Sequence, residues 1–126
     1  MRQRSSVILI GHGSRQRGFD AAIRKVARVL KRQGVFSDVR CAYLEIANPL
    51  VPEAVEALVR KGARKIILVP YFLQAGLHVK KDVPEIVKNL RRRFRGKTKL
   101  ILSRYLGFDR RIAALVKTRI REASRA

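Results

Sequence analysis

Residues 65–84 read KIILVPYFLQAGLHVKKDVP, and they hold a strand, a loop and a helix start in succession. The opening KIILV is a short apolar run rich in β-branched side chains, as expected of a strand buried on both faces. Pro70 ends it. An apolar run containing glycine follows, Phe72, Leu73, Gln74, Ala75, Gly76 and Leu77, and then His78, Lys80 and Lys81. Asp82 with Glu85 three residues on reads as a capping box, and Pro84 suits a first helical turn. A helix is therefore expected from Val83, with Ile86, Val87, Leu90 and Phe94 along one stripe. Strand, loop and helix in that order form the repeating unit of an α/β fold, and the loop is where such folds carry chemistry.

The same rhythm extends in both directions. Towards the N-terminus, VILIG at residues 7–11 is a second buried strand, and Phe19, Ala22, Ile23, Val26, Val29 and Leu30 give an apolar helix stripe ending near Gly34. Residues 35–44 alternate well enough for a strand with Val39, Cys41 and Tyr43 on one face. Asn48, Pro49 and Pro52 are helix-start chemistry, with Val51, Ala54, Val55, Leu58 and Val59 as the stripe and Gly62 as the stop. Towards the C-terminus, residues 99–102 form a last strand. Asp109 is the expected N-cap of a helix carrying Ile112, Leu115, Val116 and Ile120. Four strands alternating with four helices predict a four-stranded parallel sheet with helices on both faces. So small a sheet leads us to expect a homodimer that covers or extends it.

The 126 residues suit one domain, 1–126, with a core of its own, and a hydrophobic fraction of 47% excludes general disorder. No apolar run approaches the roughly 18 residues of a membrane span, and Met1, Arg2, Gln3 and Arg4 lead straight into a strand rather than a signal peptide. Cys41, the single cysteine, reads as a core thiol and points to the cytoplasm. Thirty Lys and Arg against nine Asp and Glu give a net charge of +21, which attracts polyanions: nucleic acid, or a small ligand rich in carboxylates or phosphates. Much of that charge, such as Arg91, Arg92, Arg93 and Arg95, reads as a solvated face at a helix C-terminus.

In a parallel sheet all strands end at one rim, and ligands bind beyond it. His12 follows the first strand, Glu45 the second, and His78 lies in the loop after the third. Two imidazoles and a carboxylate suit a borderline divalent ion such as Co, Ni, Fe or Zn. The loop Gly11-His12-Gly13-Ser14-Arg15 has two further readings, a phosphate cradle at the next helix N-terminus and a Ser14–His12 nucleophile pair. It matches neither the P-loop nor GxGxxG, and no nucleophile elbow accompanies the serine.

VILIGHGSR at 7–15, AYLEIANPLVPEAVEAL at 42–58 and KIILVPYFLQAGLHVKKDVP at 65–84 together resemble the short CbiX-type sirohydrochlorin chelatases, over essentially the whole chain. The resemblance implies a ferrochelatase-like fold, half of a two-domain chelatase completed as a homodimer, and insertion of cobalt or nickel into sirohydrochlorin in cobalamin or nickel-tetrapyrrole biosynthesis. It implies His12 and His78 as metal ligands, His12 also as catalytic proton acceptor, and Glu45 as a substrate-side acid. Leu73, Gln74, Ala75, Gly76, Leu77 and His78 would line the tetrapyrrole. Co2+ or Ni2+ enters as substrate, with no permanently bound cofactor. Arg15, Lys80 and Lys81 become candidate contacts for the carboxylates of the macrocycle. The chain departs from the family's pattern after the fourth strand, where Ser103-Arg104-Tyr105-Leu106-Gly107 replaces an acidic, proline-containing loop.

Two other readings compete. A nucleic-acid-binding α/β module would use the charge, but three Tyr, five Phe and no Trp are few stacking platforms, and no RNP, KH or helix-turn-helix pattern is present. A non-catalytic metal-binding domain would hold Co or Ni without making product.

Overall fold

The structure is a computed structural model that describes residues 4–125. Its elements run β1 (Ser6–Gly11), α1 (Ala21–Arg32), β2 (Asp38–Tyr43), α2 (Val51–Arg60), β3 (Lys65–Pro70), α3 (Leu77–Arg93), β4 (Lys99–Leu102) and α4 (Arg110–Ser124). The four strands form one parallel sheet in the order β2-β1-β3-β4.

Alternation along β1 sets the two layers. Ile8 and Ile10 point to one side and pack with Val55 and Leu58 of α2 and Val87 and Leu90 of α3. Val7 and Leu9 point to the other, against Ile23 and Ala27 of α1 and Val39 of β2. Each buried valine, leucine or isoleucine among them contributes about 1.5–3 kcal/mol.

The start of α3 differs from the sequence expectation. Gly76 is the N-cap, so the helix begins about a turn and a half before Val83. Asp82 and Glu85 are therefore helix-interior residues, not a capping box, and His78 sits on the first helical turn rather than in a loop. Pro84 stands mid-helix, where it lacks the N–H for the backbone bond to Lys80, a cost of about 3 kcal/mol. The stripe explains why the helix continues through it: Val79 is partly buried, and Val83, Val87, Leu90 and Phe94 are buried against the sheet. At about 2 kcal/mol for each buried side chain, that packing exceeds the cost of the proline.

At the other expected boundaries, β2 is shorter than residues 35–44, and Val35 is exposed. Asp109 is the N-cap of α4, accepting a hydrogen bond from the Arg111 N–H at 2.9 Å. None of the apolar residues of α4 is buried: Leu115, Val116 and Ile120 are each at least half exposed. Among the described residues no helix is long and apolar enough to cross a membrane.

Candidate functional site

The site begins where β1 and β2 stop. Their register pairs Gly11 with Tyr43. Two more backbone bonds carry the ladder past the strand ends, from Leu44 N–H to the Gly11 carbonyl (3.1 Å) and from Glu45 N–H to the His12 carbonyl (3.2 Å). That register holds His12 and Glu45 side by side, with Nε2 of the imidazole 3.2 Å from Oε1 of the carboxylate. Both side chains are about half exposed, so the pair faces an open rim.

Gly13 makes this approach possible. Its φ is +108°, and a Cβ at that position would fall 1.8 Å from the Glu45 carbonyl oxygen. On the Glu45 side, Ala47 N–H donates to the Glu45 carbonyl at 2.7 Å, which closes a tight turn and holds Ile46 at φ +69°. A β-branched residue in that conformation is strained, and the strain lies beside the site.

Below the rim, the Tyr43 ring packs edge-on to Phe19 with centroids 5.2 Å apart, and its hydroxyl donates to Asp20 Oδ2 at 2.6 Å. Burial and the acceptor Asp20 hold the Tyr43 phenol well above the usual tyrosine range. This contact ties the start of α1 to the end of β2 beneath the 11–15 loop. α1 starts only at Ala21, and the Ser14 hydroxyl accepts from the Gln16 N–H at 3.0 Å. The loop is thus not seated on a helix N-terminus, which removes the phosphate-cradle geometry, and Ser14 caps a local turn instead of presenting itself to His12.

His12, Leu44 and Glu45 share a cavity of about 250 Å³ with Asp82, Glu85 and Asn89 of α3. Asp82 and Glu85, expected in a capping box, instead form this acidic face. Its signal was present: positions 78, 82, 85 and 89 follow a four-three-four spacing, one stripe of a helix that already runs at residue 78. The side chain of His78 lies outside the described residues. Among the described residues no group of three or more His, Cys, Asp or Glu is arranged to hold a metal ion.

The other expected contacts divide around the same helix. Leu73 and Leu77 are exposed at 59% and 88%, an apolar rim open to a flat ligand, with Gln74, Ala75 and Gly76 between them. Arg15 and Lys81 are exposed. Lys80 instead lines a separate cavity of about 440 Å³ between α3 and the 103–109 loop.

The CbiX family model matches residues 6–123. The chain belongs to the CbiX family. The sirohydrochlorin cobaltochelatase of Sulfolobus acidocaldarius is 33% identical over 117 residues, 93% of this chain and 90% of that one. Several further relatives of the same name match over 82 residues, 57% of their own length. Among solved structures, a CbiX protein of cobalamin (vitamin B12) biosynthesis from Marinobacter aquaeolei VT8 superposes with a TM-score of 0.82 at 25% identity, over 97% of this chain and 99% of that one. The sirohydrochlorin chelatase SirB from Bacillus subtilis subspecies spizizenii, in complex with cobalt, shares the fold with a TM-score of 0.84 at 23% identity. This chain spans about half of it, 51%. The parallel α/β sheet expected from the sequence is thus the fold of the family.

Proposed function

We propose that this CbiX-family chain inserts cobalt or nickel into sirohydrochlorin with release of two protons, in cobalamin or nickel-tetrapyrrole biosynthesis. The observation that carries the reading is the His12–Glu45 pair, held by strand register at an open rim and facing the acidic stripe of α3. The metal is substrate here, so an incomplete ligand set suits an ion that must be handed on. His78, at the first turn of α3, is the second ligand that the family resemblance assigns.

The chemistry of His12 follows from its partner. A proton on Nε2 donated to Glu45 leaves Nδ1 with its lone pair, free to hold the ion or to take a pyrrole proton. One nitrogen cannot do both at once, so the two roles are sequential. Once His12 is protonated, the adjacent carboxylate stabilises the imidazolium. Asp82 and Glu85 surround the same space with oxygen acceptors, which suits the approach of a divalent cation and the departure of protons. The exposed Leu73 and Leu77 supply the apolar surface against which a macrocycle can lie.

We take the working unit to be a homodimer of single domains. The exposed stripe on α4 and the half-length match to a cobalt-bound chelatase support that reading. We assign it to the cytoplasm, where Cys41 stays a thiol, half buried beside α1 with its pKa raised by desolvation and by Asp20.

The test is anaerobic. The visible spectrum of sirohydrochlorin is followed with Co2+ or Ni2+, with native protein, without protein, and with His12→Ala and His78→Ala. Acceleration by the native protein that both variants lose supports the reading. A native rate equal to the uncatalysed rate for both metals overturns it. Metal binding without product would then favour a non-catalytic domain.

A further inference from the structure

The cavity on the far side of α3 has no part in the His12 chemistry. It is also the larger, at about 440 Å³ against about 250 Å³. Its floor is apolar, formed by Val79, Val83, Leu102 and Leu106. Its rim carries two cations, Lys80 from the first turn of α3 and Arg104 from the loop after β4, both exposed. Neither has an ion-pair partner among the described residues.

The one carboxylate on the cavity wall does not neutralise them. Asp109 is held by Arg111, with Nε and Nη2 at 2.8 and 2.9 Å, and its pKa is pushed well below the usual carboxylate range by those bonds. The loop is also built in place. Gly107 N–H donates to the Phe72 carbonyl at 3.2 Å, and Ser103 N–H to the Leu68 carbonyl at 2.9 Å. At Gly107 (φ +56°) an added Cβ would stand 3.2 Å from the Tyr105 ring, so ring and backbone turn are matched. The loop thus joins the apolar 72–77 segment, where the macrocycle is taken to lie.

We propose that this cavity is a substrate subsite: Lys80 and Arg104 grip peripheral carboxylates on one edge of the tetrapyrrole while the apolar floor takes the ring's flank. The inference rests on the chelatase reading and deepens it. It also gives the basic, aromatic 103–107 loop a role, one that an acidic loop could not fill against an anionic substrate. An unpaired arginine suits a carboxylate because its planar fork can bind both oxygens. Lys80 lies two residues beyond position 78, so a ring held by these charges has its edge beside the first turn of α3.

The experiment is equilibrium binding of metal-free sirohydrochlorin, followed by absorbance, together with steady-state chelation. The proteins are native, Lys80→Ala/Arg104→Ala, Lys80→Glu/Arg104→Glu, Arg104→Lys, and Arg95→Ala as a control at the far end of α3. The double alanine variant is expected to weaken binding by about tenfold or more and to flatten its salt dependence. The double glutamate variant should weaken it further, and Arg104→Lys should keep most of the affinity. KM should rise with these losses while kcat moves less than threefold, and thermal unfolding should match native. If the double alanine variant binds within twofold of native while native protein inserts metal, the subsite is wrong and the chelatase stands. If Arg95→Ala weakens binding as much, net charge and not the cavity is responsible, and the proposal falls. If native protein neither binds sirohydrochlorin nor accelerates insertion, the chelatase reading itself falls and takes the subsite with it.

Discussion

The two flanks of α3 carry opposite charge. On one side, Asp82 and Glu85 face His12 and Glu45, and the wall is acidic. On the other, Lys80 and Arg104 rim an apolar cavity, and the free charge is basic. Residues two apart on a helix face differ by about 200°, so a single amphipathic element can present acid to a cation and base to a carboxylate within one turn. A net charge of +21 would suggest uniform attraction for anions. The local arrangement shows that the sign beside His12 is the opposite of the sign of the whole.

The comparison predicts a clean split in kinetics, and the largest effect should come from the acidic side. His12→Ala is expected to lower kcat by about a hundredfold or more with native-like thermal stability, read from the chelation rate and circular dichroism. A loss confined to KM would mean that the two flanks do not differ in the way described.

Gly13→Ala should come next, because it attacks the joint between the β1 and β2 loops. A positive φ and a Cβ 1.8 Å from the Glu45 carbonyl oxygen force the loops apart. We expect a loss of about 2–4 kcal/mol in chemical denaturation and a tenfold fall in kcat as His12 and Glu45 separate. Glu45→Gln leaves the fold alone and removes only the charge beside the imidazole. A fall of about tenfold in kcat, with unchanged stability, is the expected outcome, and an unaltered pH–rate profile would show that Glu45 does not act through His12.

Two smaller effects test the scaffold. Pro84→Ala restores the missing N–H of α3, and the protein should gain about 1–2 kcal/mol after the entropy returned to the unfolded chain is counted. Asp38, at the opposite end of β2 from the site, supplies a pH effect. Burial works against its charge, but hydrogen bonds and charges from Arg40, Lys31 and the Val39 N–H hold its carboxyl below the usual range. A carboxylate depressed in the folded state stabilises fully above its unfolded value of about 4, and this is lost as pH falls through the folded value. Asp38→Asn should therefore flatten the acid limb of the stability–pH curve and leave neutral-pH chelation unchanged.

Much of this was readable from residues alone because the layers of the sheet obey short-range rules. Alternation in VILIG and the three- and four-residue spacing within the helix stripes that contain Ile23, Val55 and Val87 encode which face is buried, and buried apolar area dominates folding. The stop signals at Gly34 and Gly62 and the cap at Asp109 are local too. His12 and Glu45 could be named because each follows a strand, and strand ends share a rim.

The start of α3 failed for a physical reason. Asp82, Pro84 and Glu85 are strong local start signals, but the sheet offers Val79 and Val83 a place to be buried, and that contact overrides them. Moving the start by a turn and a half put His78, Asp82, Glu85 and Asn89 on one stripe, so the acidic wall followed from packing and not from any motif. The exposure of α4 is likewise invisible in its pattern, since an apolar stripe does not say what covers it.

Periodicity and neighbours within a few residues were enough to place the four βα units, the buried faces of α1, α2 and α3, and the two loops that carry His12 and Glu45. Tertiary structure alone decided the 3.2 Å pairing of those side chains, the sign of charge on each side of α3 and the cavity under Arg104. These depend on strand register and on which helix face meets the sheet, which are set by contacts between residues far apart in the chain.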